Sequence, residues 1–226
     1  MSIYTFVPVI FIVLYLGYWF YMKKKNSQQA QVVNNTDFKA EFANAEQYKN
    51  LCLNSDLSFL KEAMGEEKID AFNYASNEYG VASALKDGMK DKLKGMATLG
   101  TVRFNTVQTP KYLVLSGDNL HLFDTDTDGE IDNHFVFNQA RLENSRLIAI
   151  PMEGQVQAQA QARGNNVKAY KLSLQTDEKP VELIIYSCLI FTNLQETIQD
   201  IIIGNDFLKQ LGDKYPNLKV SLPIFS

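Results

Sequence analysis

Apolar residues recur at a helical spacing in residues 37–97, after the N-terminal segment. Intervals of three to four residues predict three helices within residues 37–97. Thr36 or Asp37 can cap the first helix, and Ser55 can cap the second. The third would span residues 67–94. The apolar positions that define these helices are Phe38, Phe42 and Ala45, then Leu57, Leu60 and Met64, then Ile69, Phe72, Ala75, Tyr79, Val81, Leu85, Met89 and Leu93.

After residue 97 the pattern changes to short alternating runs bounded by turn residues. Such runs at regular spacing are typical of antiparallel strands. The turns at 116–119 and 124–129 predict two successive hairpins. The strand-bearing runs are TLGTVRF (98–104), KYLVL (111–115), LHLFD (120–124), EIDNHFVFNQARL (130–142), SRLIAI (145–150), QVQAQAQA (155–162), VKAYKLSLQT (167–176) and VELIIYSCLIF (181–191).

One helix is predicted after the last of these runs. Asn193 and Glu196 form its capping pair, and Gly204 predicts a break, because glycine costs about 1 kcal/mol in a helix interior. The chain is therefore predicted to be α+β, with a helical segment at 37–97 and a β domain at 98–226. The inward-facing positions of the last helix would be Leu194, Ile198, Ile201, Leu208 and Leu211.

The order of antiparallel strands followed by one C-terminal helix resembles the pleckstrin-homology-like (PH-like) superfold, in particular bacterial PH-like and GRAM-like domains. The local match is KYLVLSGDNLHLFDTDTDGEI at 111–131, which is similar to the hairpin that opens many such domains. The resemblance covers about residues 98–213. It implies a twisted, partly open β-barrel or sandwich whose end is plugged by residues 193–212. It implies no particular ligand, because one fold hosts many functions.

The N-terminal residues are uncharged over a length that can cross a bilayer. Ile3–Met22 reads IYTFVPVIFIVLYLGYWFYM, and about 20 apolar residues at a 1.5 Å rise span the hydrocarbon core. A cleaved signal peptide would instead carry its charge before the run. The positive-inside rule predicts a single-pass anchor at 1–22, a basic flank and flexible linker at 23–36, and a cytoplasmic domain at the cell membrane. The flanking lysines are Lys23, Lys24 and Lys25.

The charge balance argues against nucleic acid as a partner. The chain has 22 Lys and Arg residues against 26 Asp and Glu residues, and it has no basic stripe beyond the three lysines. Near the first hairpin only Arg103 and Lys111 are basic, so phosphoinositide binding is not expected. Cys52 and Cys188 are too few for a disulfide framework, and they are expected to be buried thiols.

The segment DTDTDGEI at 124–131 is the sharpest local motif. Asp124, Asp126 and Asp128 alternate ahead of a glycine, as the oxygen ligands of a calcium loop do. The glutamate expected at the end of such a loop is replaced by Phe135, and strands flank the segment, so a polar hairpin turn is the simpler interpretation. The segment also resembles the first motif of haloacid-dehalogenase-type phosphatases, but those enzymes alternate strands with helices.

Two histidines lie in the strands on either side of this turn. His121 and His134 can approach each other across the hairpin, although a zinc site would need further ligands. Ser116 and Ser187 have no histidine and carboxylate that would activate them as nucleophiles. The sequence therefore predicts neither an enzyme nor a cofactor.

The favoured functional hypothesis is a membrane-anchored cytoplasmic adaptor or scaffold that binds a protein or peptide through its PH-like domain. QVQAQAQA at 155–162 is the candidate edge, because small alternating side chains leave the backbone accessible to an added strand. One alternative is a calcium- or magnesium-binding protein that uses Asp124, Asp126 and Asp128. Another is a protein that binds anionic lipid through its lysine triplet.

Overall fold

The chain divides into two compact units, Met1–Asp37 and Phe38–Ser226. The second unit contains the predicted helices and strands, and it is the part in which a functional site can be traced. The computed structural model describes residues 14–21, 24, 31–33, 35–77, 109–126, 128–151, 167–189 and 197–225.

The first unit contains part of the predicted anchor. Residues 14–21 are helical and exposed, and Lys24 is exposed as well. Residues 1–13, Lys23 and Lys25 lie outside the described residues. Within the part of the chain that is described, no helix combines the length and the apolar character needed to cross a membrane.

The second unit has the predicted α+β composition. Short helices come first, antiparallel strands follow, and one longer helix comes near the C-terminus. Its elements are α1 (Phe38–Glu41), a 3-10 turn (Phe42–Asn44), α2 (Ala45–Leu53), α3 (Ser58–Met64), β1 (Ala71–Asn77), β2 (Lys111–Ser116), β3 (Asn119–Thr125), β4 (Ile131–Phe137), α4 (Gln139–Glu143), β5 (Arg146–Ile150), β6 (Ala169–Leu174), β7 (Val181–Tyr186), α5 (Ile198–Lys214) and 3-10 turns at Pro216–Leu218 and Pro223–Phe225.

The described strands form one antiparallel sheet in the order β4-β3-β2-β1-β7-β6-β5. It consists of two meanders, β1–β4 and β5–β7, which are joined where β1 pairs with β7. The predicted antiparallel sheet with a C-terminal helix is thereby confirmed. The sheet is not closed among the described residues, because β4 and β5 lie at its opposite edges and do not pair with each other. Closure into a barrel is therefore not seen there.

The third predicted helix is wrong where the structure describes it. Ala71–Asn77 forms β1, the central strand, which pairs with β2 on one side and β7 on the other. Ala71, Phe72 and Ala75 are all fully buried, because both faces of the sheet are covered there. A strand buried on both faces loses its polar and apolar alternation, and an apolar spacing of three then suggests a helix. Residues 78–94 of that prediction lie outside the described residues.

Each face of the sheet packs against its own hydrophobic cluster. The first cluster joins strands of both meanders to α5 and includes Leu113, Leu120, Leu172 and Phe207. The second cluster joins β1, β2 and β3 to α2 and α3, so the predicted apolar face of α3 is confirmed. Its buried members are Cys52, Leu53, Leu57, Leu60, Met64, Phe72, Tyr112, Val114, Phe123, Leu189 and Ile203.

A capping box starts helix α5. The backbone N–H of Asp200 donates to the Thr197 hydroxyl at 3.2 Å, and the backbone N–H of Thr197 donates to the Asp200 carboxylate at 2.8 Å. Two backbone N–H donors at the start of the helix are thus satisfied locally. Asn193 and Glu196, the predicted capping pair, lie outside the described residues.

Gly204 does not break helix α5, contrary to the sequence prediction. The helix is continuous through it, and a Cβ at this position would lie 2.4 Å from the Cα of Cys188. The glycine therefore serves close packing between the helix and the segment after β7. Buried positions of α5 include three that were predicted to face inward, Ile201, Leu208 and Leu211.

Both predicted hairpins are confirmed. Gly117 has a φ of 51° in the turn between β2 and β3, and Gly129 has a φ of 88° in the turn between β3 and β4. Glycine adopts these angles without steric cost, which is why the turns fall where the sequence indicates. Cys52 and Cys188 are buried and form no disulfide, as expected.

Two predicted strands fall outside the described residues. They are TLGTVRF at 98–104 and QVQAQAQA at 155–162. The predicted domain boundary between residues 97 and 98 lies there as well. The helices at the start of Phe38–Ser226 and the sheet belong to one compact unit.

Candidate functional site at the β4 edge

Strand β4 is the most exposed strand that the structure describes. It lies at one edge of the sheet, and five consecutive residues, 132–136, are exposed. Phe135 retains 48% of its accessible surface and Val136 retains 44%. An edge strand also leaves alternate backbone amides and carbonyls unpaired on its outer side. The β4 edge thus combines apolar side chains with backbone groups that can accept another strand.

The two apolar side chains of this edge lie on opposite faces of the sheet. Phe135 is in register with Leu122, whose side chain belongs to the cluster beneath α5. Val136 is in register with His121, on the face that α2 and α3 cover nearer the centre of the sheet. A segment lying beside β4 would therefore meet an apolar side chain on each face.

The two histidines meet across the β3–β4 hairpin, as the sequence predicts. Nδ1 of His121 lies 2.9 Å from Nε2 of His134, so one ring donates a hydrogen bond to the other. The Phe123 ring stacks on His134 with centroids 4.2 Å apart. The stack fixes the orientation of the exposed His134 ring beside Val136. One nitrogen of each ring is therefore occupied by the other ring.

The second ring nitrogen of His121 faces Glu67. Nε2 lies 3.4 Å from the Glu67 carboxylate but makes no hydrogen bond, although the side chain of His121 is almost fully buried. Burial lowers the pKa of His121 below its ordinary value, the Glu67 carboxylate opposes that shift, and the nearby His134 adds to it. The His121 ring is consequently held in its neutral form at the margin of the helix-covered face.

Two of the three carboxylates of the predicted metal loop, Asp124 and Asp126, have other partners. Asp124 is paired with Lys111 at 2.5 Å. One carboxylate oxygen of Asp126 accepts the backbone N–H groups of Asp128 and Glu130, each at 2.9 Å. These contacts are those of a polar hairpin turn. Across the residues described, no three His, Cys, Asp or Glu side chains are arranged to hold a metal ion. The calcium or magnesium site stays a prediction.

The hairpin that carries the edge is strongly acidic. No lysine or arginine occurs between Lys111 and Arg141. Both of these flanking cations are paired, Lys111 with Asp124 and Arg141 with Asp177 at 2.6 Å. The intervening acidic residues are Asp118, Asp124, Asp126, Asp128, Glu130 and Asp132. The edge is therefore flanked at its turn end by Asp126, Asp128, Glu130 and Asp132, which form no salt bridge with a described lysine or arginine.

The sequence does not predict that β4 is an exposed edge strand. The run HFVF at 134–137 has the composition of an interior strand, so exposure of Phe135 and Val136 follows only from the strand order. The two polar residues just before this run, Asp132 and Asn133, are the feature of the sequence that could have indicated an edge strand. Charged and polar side chains are common on edge strands because they discourage aggregation.

Comparisons with known proteins add little. No protein-family model matches the chain. No curated protein matches it either. Among solved structures, the hSac2 domain from human phosphoinositide phosphatase Sac2 is similar at 12% sequence identity and a TM-score of 0.37, covering 74% of this chain and 85% of that one. A similarity this weak carries no argument. Within the described residues, fold and site together define an α+β protein with an open seven-stranded sheet and an exposed edge strand.

Proposed function

We propose that this chain is a membrane-anchored, non-enzymatic adaptor whose PH-like domain binds an extended segment of a protein partner along the edge strand β4. The observation that carries this proposal is the run of exposed residues at 132–136, with Phe135 and Val136 almost half accessible at the sheet edge. Strand addition at such an edge gains affinity from backbone hydrogen bonds and specificity from alternate side chains.

The PH-like assignment is supported by the order of the elements. A four-stranded meander and a three-stranded meander are followed by α5, which packs on the cluster shared by both. The open edges fit a partly open barrel of the kind the resemblance implies. A domain of this kind binds partners on its surface and edges, and it needs no internal cavity.

The membrane location is supported by the sequence alone. Ile3–Met22 carries no charge, and the lysines at 23–25 follow it directly. With this orientation the domain faces the cytoplasm. A reporter fused after Ser226 tests the topology, since one that is active only outside the cytoplasm contradicts it.

Crosslinking and affinity purification of the full-length chain from native membranes test the adaptor function. The chain is compared with the double variant Phe135→Lys, Val136→Lys, which places charges on the edge where a partner strand would pack. The matched control is Ile148→Lys on β5, the opposite edge, where Ile148 is 57% exposed. A reproducible partner that is lost only with the β4 variant supports the proposal. A partner set that is unchanged by the β4 variant contradicts it.

A further inference from the structure

We propose that the segment bound at β4 is an extended peptide with two adjacent apolar residues, followed within a few positions by a basic residue that pairs with the acidic end of the hairpin at Asp132. This inference rests on the proposed function and names the chemistry of its partner. It follows from the order of side chains along β4 and from the charge of the hairpin.

The apolar pair follows from cross-strand packing. Residues directly opposite each other on neighbouring strands have Cβ atoms about 4.5–5.5 Å apart and interact on the same face. Phe135 and Val136 point to opposite faces, so two consecutive apolar residues of an added strand would cover one each. Burying these half-exposed side chains removes apolar surface from water, which favours association.

The basic residue follows from the acidic end of the hairpin. Asp132 is exposed and lies at the point where the register between β3 and β4 shifts, between Ile131 and Asn133, at the turn end of the edge. Asp128 and Glu130 extend the negative charge toward the turn, and no salt bridge pairs either of them or Asp132 among the described residues. An opposite charge placed across from Asp132 is attracted, whereas a like charge there is repelled.

A second copy of the chain fits this edge less well than a basic segment does. The chain offers no lysine or arginine between residues 112 and 140, so β4 itself lacks the complementary charge. The acidic hairpin of one copy would approach the same edge of another and raise the local negative charge. The complementary partner is therefore a basic, extended segment of a different sequence.

Fluorescence anisotropy of labelled peptides added to the purified full-length chain tests this chemistry. The probe STVVTTKKS, bound antiparallel with its valines opposite Val136 and Phe135, brings its two lysines to the end of the edge at which Asp132 lies. The acidic control STVVTTEES keeps the apolar pair. The control STPPTTKKS cannot donate the backbone hydrogen bonds of an added strand at its centre. We expect the lysine peptide to bind at least about tenfold more tightly than either control, and less tightly as salt rises.

Charge reversal at the edge gives the sharper test. Asp132→Lys should reverse the preference, so that the glutamate peptide becomes the tighter ligand. The matched control, Glu178→Lys, adds the same charge change in the exposed turn between β6 and β7 and should leave the preference unchanged. Equal binding of the lysine and glutamate peptides, binding of the proline peptide as tight as that of the lysine peptide, or the same reversal with Glu178→Lys overturns the inference. Self-association of the chain that Phe135→Lys abolishes also overturns it.

Failure of this inference and failure of the proposed function give different results. If a partner purified from native membranes is lost with the β4 double variant while no peptide shows the lysine preference, the adaptor function stands and the peptide chemistry is wrong. If the lysine preference is found but the β4 double variant purifies with the same partners as the wild type, the edge binds such peptides and the proposed adaptor function is wrong.

Discussion

Strands β2 and β4 have opposite environments although both flank β3 in the same meander. All six residues of β2 are buried, whereas five of the seven residues of β4 are exposed. β2 lies between two strands and beneath clusters on both faces, while β4 has one neighbouring strand among the described residues. Apolar residues in β2 therefore stabilise the fold, whereas Phe135 and Val136 of β4 stay almost half exposed.

An apolar strand is therefore buried only when other elements pack on both of its faces and other strands pair with both of its sides. The helices α2 and α3 supply that cover over β1, β2 and β3. They do not bury residues 132–136.

The largest expected effect is loss of stability when a β2 side chain is shortened. Leu113 is fully buried, so Leu113→Ala should lower the free energy of unfolding by about 3 kcal/mol through lost burial and a residual cavity. Phe135→Ala, which removes a larger but half-exposed side chain, should cost less than about 1 kcal/mol. Urea unfolding measures both. Equal costs would remove the distinction between the two strands.

The cover over β2 should depend on a buried lysine of α2. Lys49 donates to the Asp70 carbonyl and forms ion pairs with Glu46 at 2.7 Å and with the buried Asp206 at 3.8 Å. Lys49→Ala removes a donor to the Asp70 carbonyl and the positive charge nearest the buried Asp206, and it should cost about 2 kcal/mol.

The matched control for that variant is an exposed pair on α5. Lys209 and Asp213 are 2.6 Å apart and both about half exposed, so Lys209→Ala should cost less than about 0.5 kcal/mol. A Lys49→Ala variant as stable as Lys209→Ala would show that the buried pair does not hold α2 in place.

A smaller effect is expected at the turn that leads into β4. Asp126→Ala removes the acceptor for the N–H groups of Asp128 and Glu130 and should lower the unfolding free energy by about 1 kcal/mol. Asp128→Ala is the control and should change it little. Calcium at millimolar concentration should leave the thermal midpoint of the wild type unchanged. A rise that Asp126→Ala abolishes would restore the metal interpretation.

The smallest expected effect is the pH dependence contributed by His121. Burial holds its pKa below the ordinary value, so the unfolded chain binds the proton more readily. Stability is therefore complete above about pH 6.5 and declines as the pH falls below it. Unfolding of the wild type and of His121→Gln, compared at about pH 7.5 and about pH 5.5, measures this. An equal decline in both proteins contradicts the assignment.

The hairpins can be predicted from their turn residues, whereas the environments of β1 and β4 depend on the order of strands in the sheet. Gly117 and Gly129 take positive φ angles that the turn sequences demand, and this hairpin register brings His121 and His134 together. The sequence of β1 by itself predicts a helix, because the strands that pair with it, β2 and β7, are distant in sequence. Neighbours of this kind also decide which strand lies at an edge, so the β4 site could not be predicted from its own residues.

Hydrogen–deuterium exchange of the full-length chain, with and without the peptide STVVTTKKS, compares β2 and β4 in a single experiment. We expect β2 to be protected throughout, the outward-facing amides of β4 to exchange rapidly in the unbound chain, and the peptide to protect residues 131–137 while leaving β5 unchanged. Unchanged exchange in β4 with saturating peptide, or protection confined to β5, would contradict this expectation.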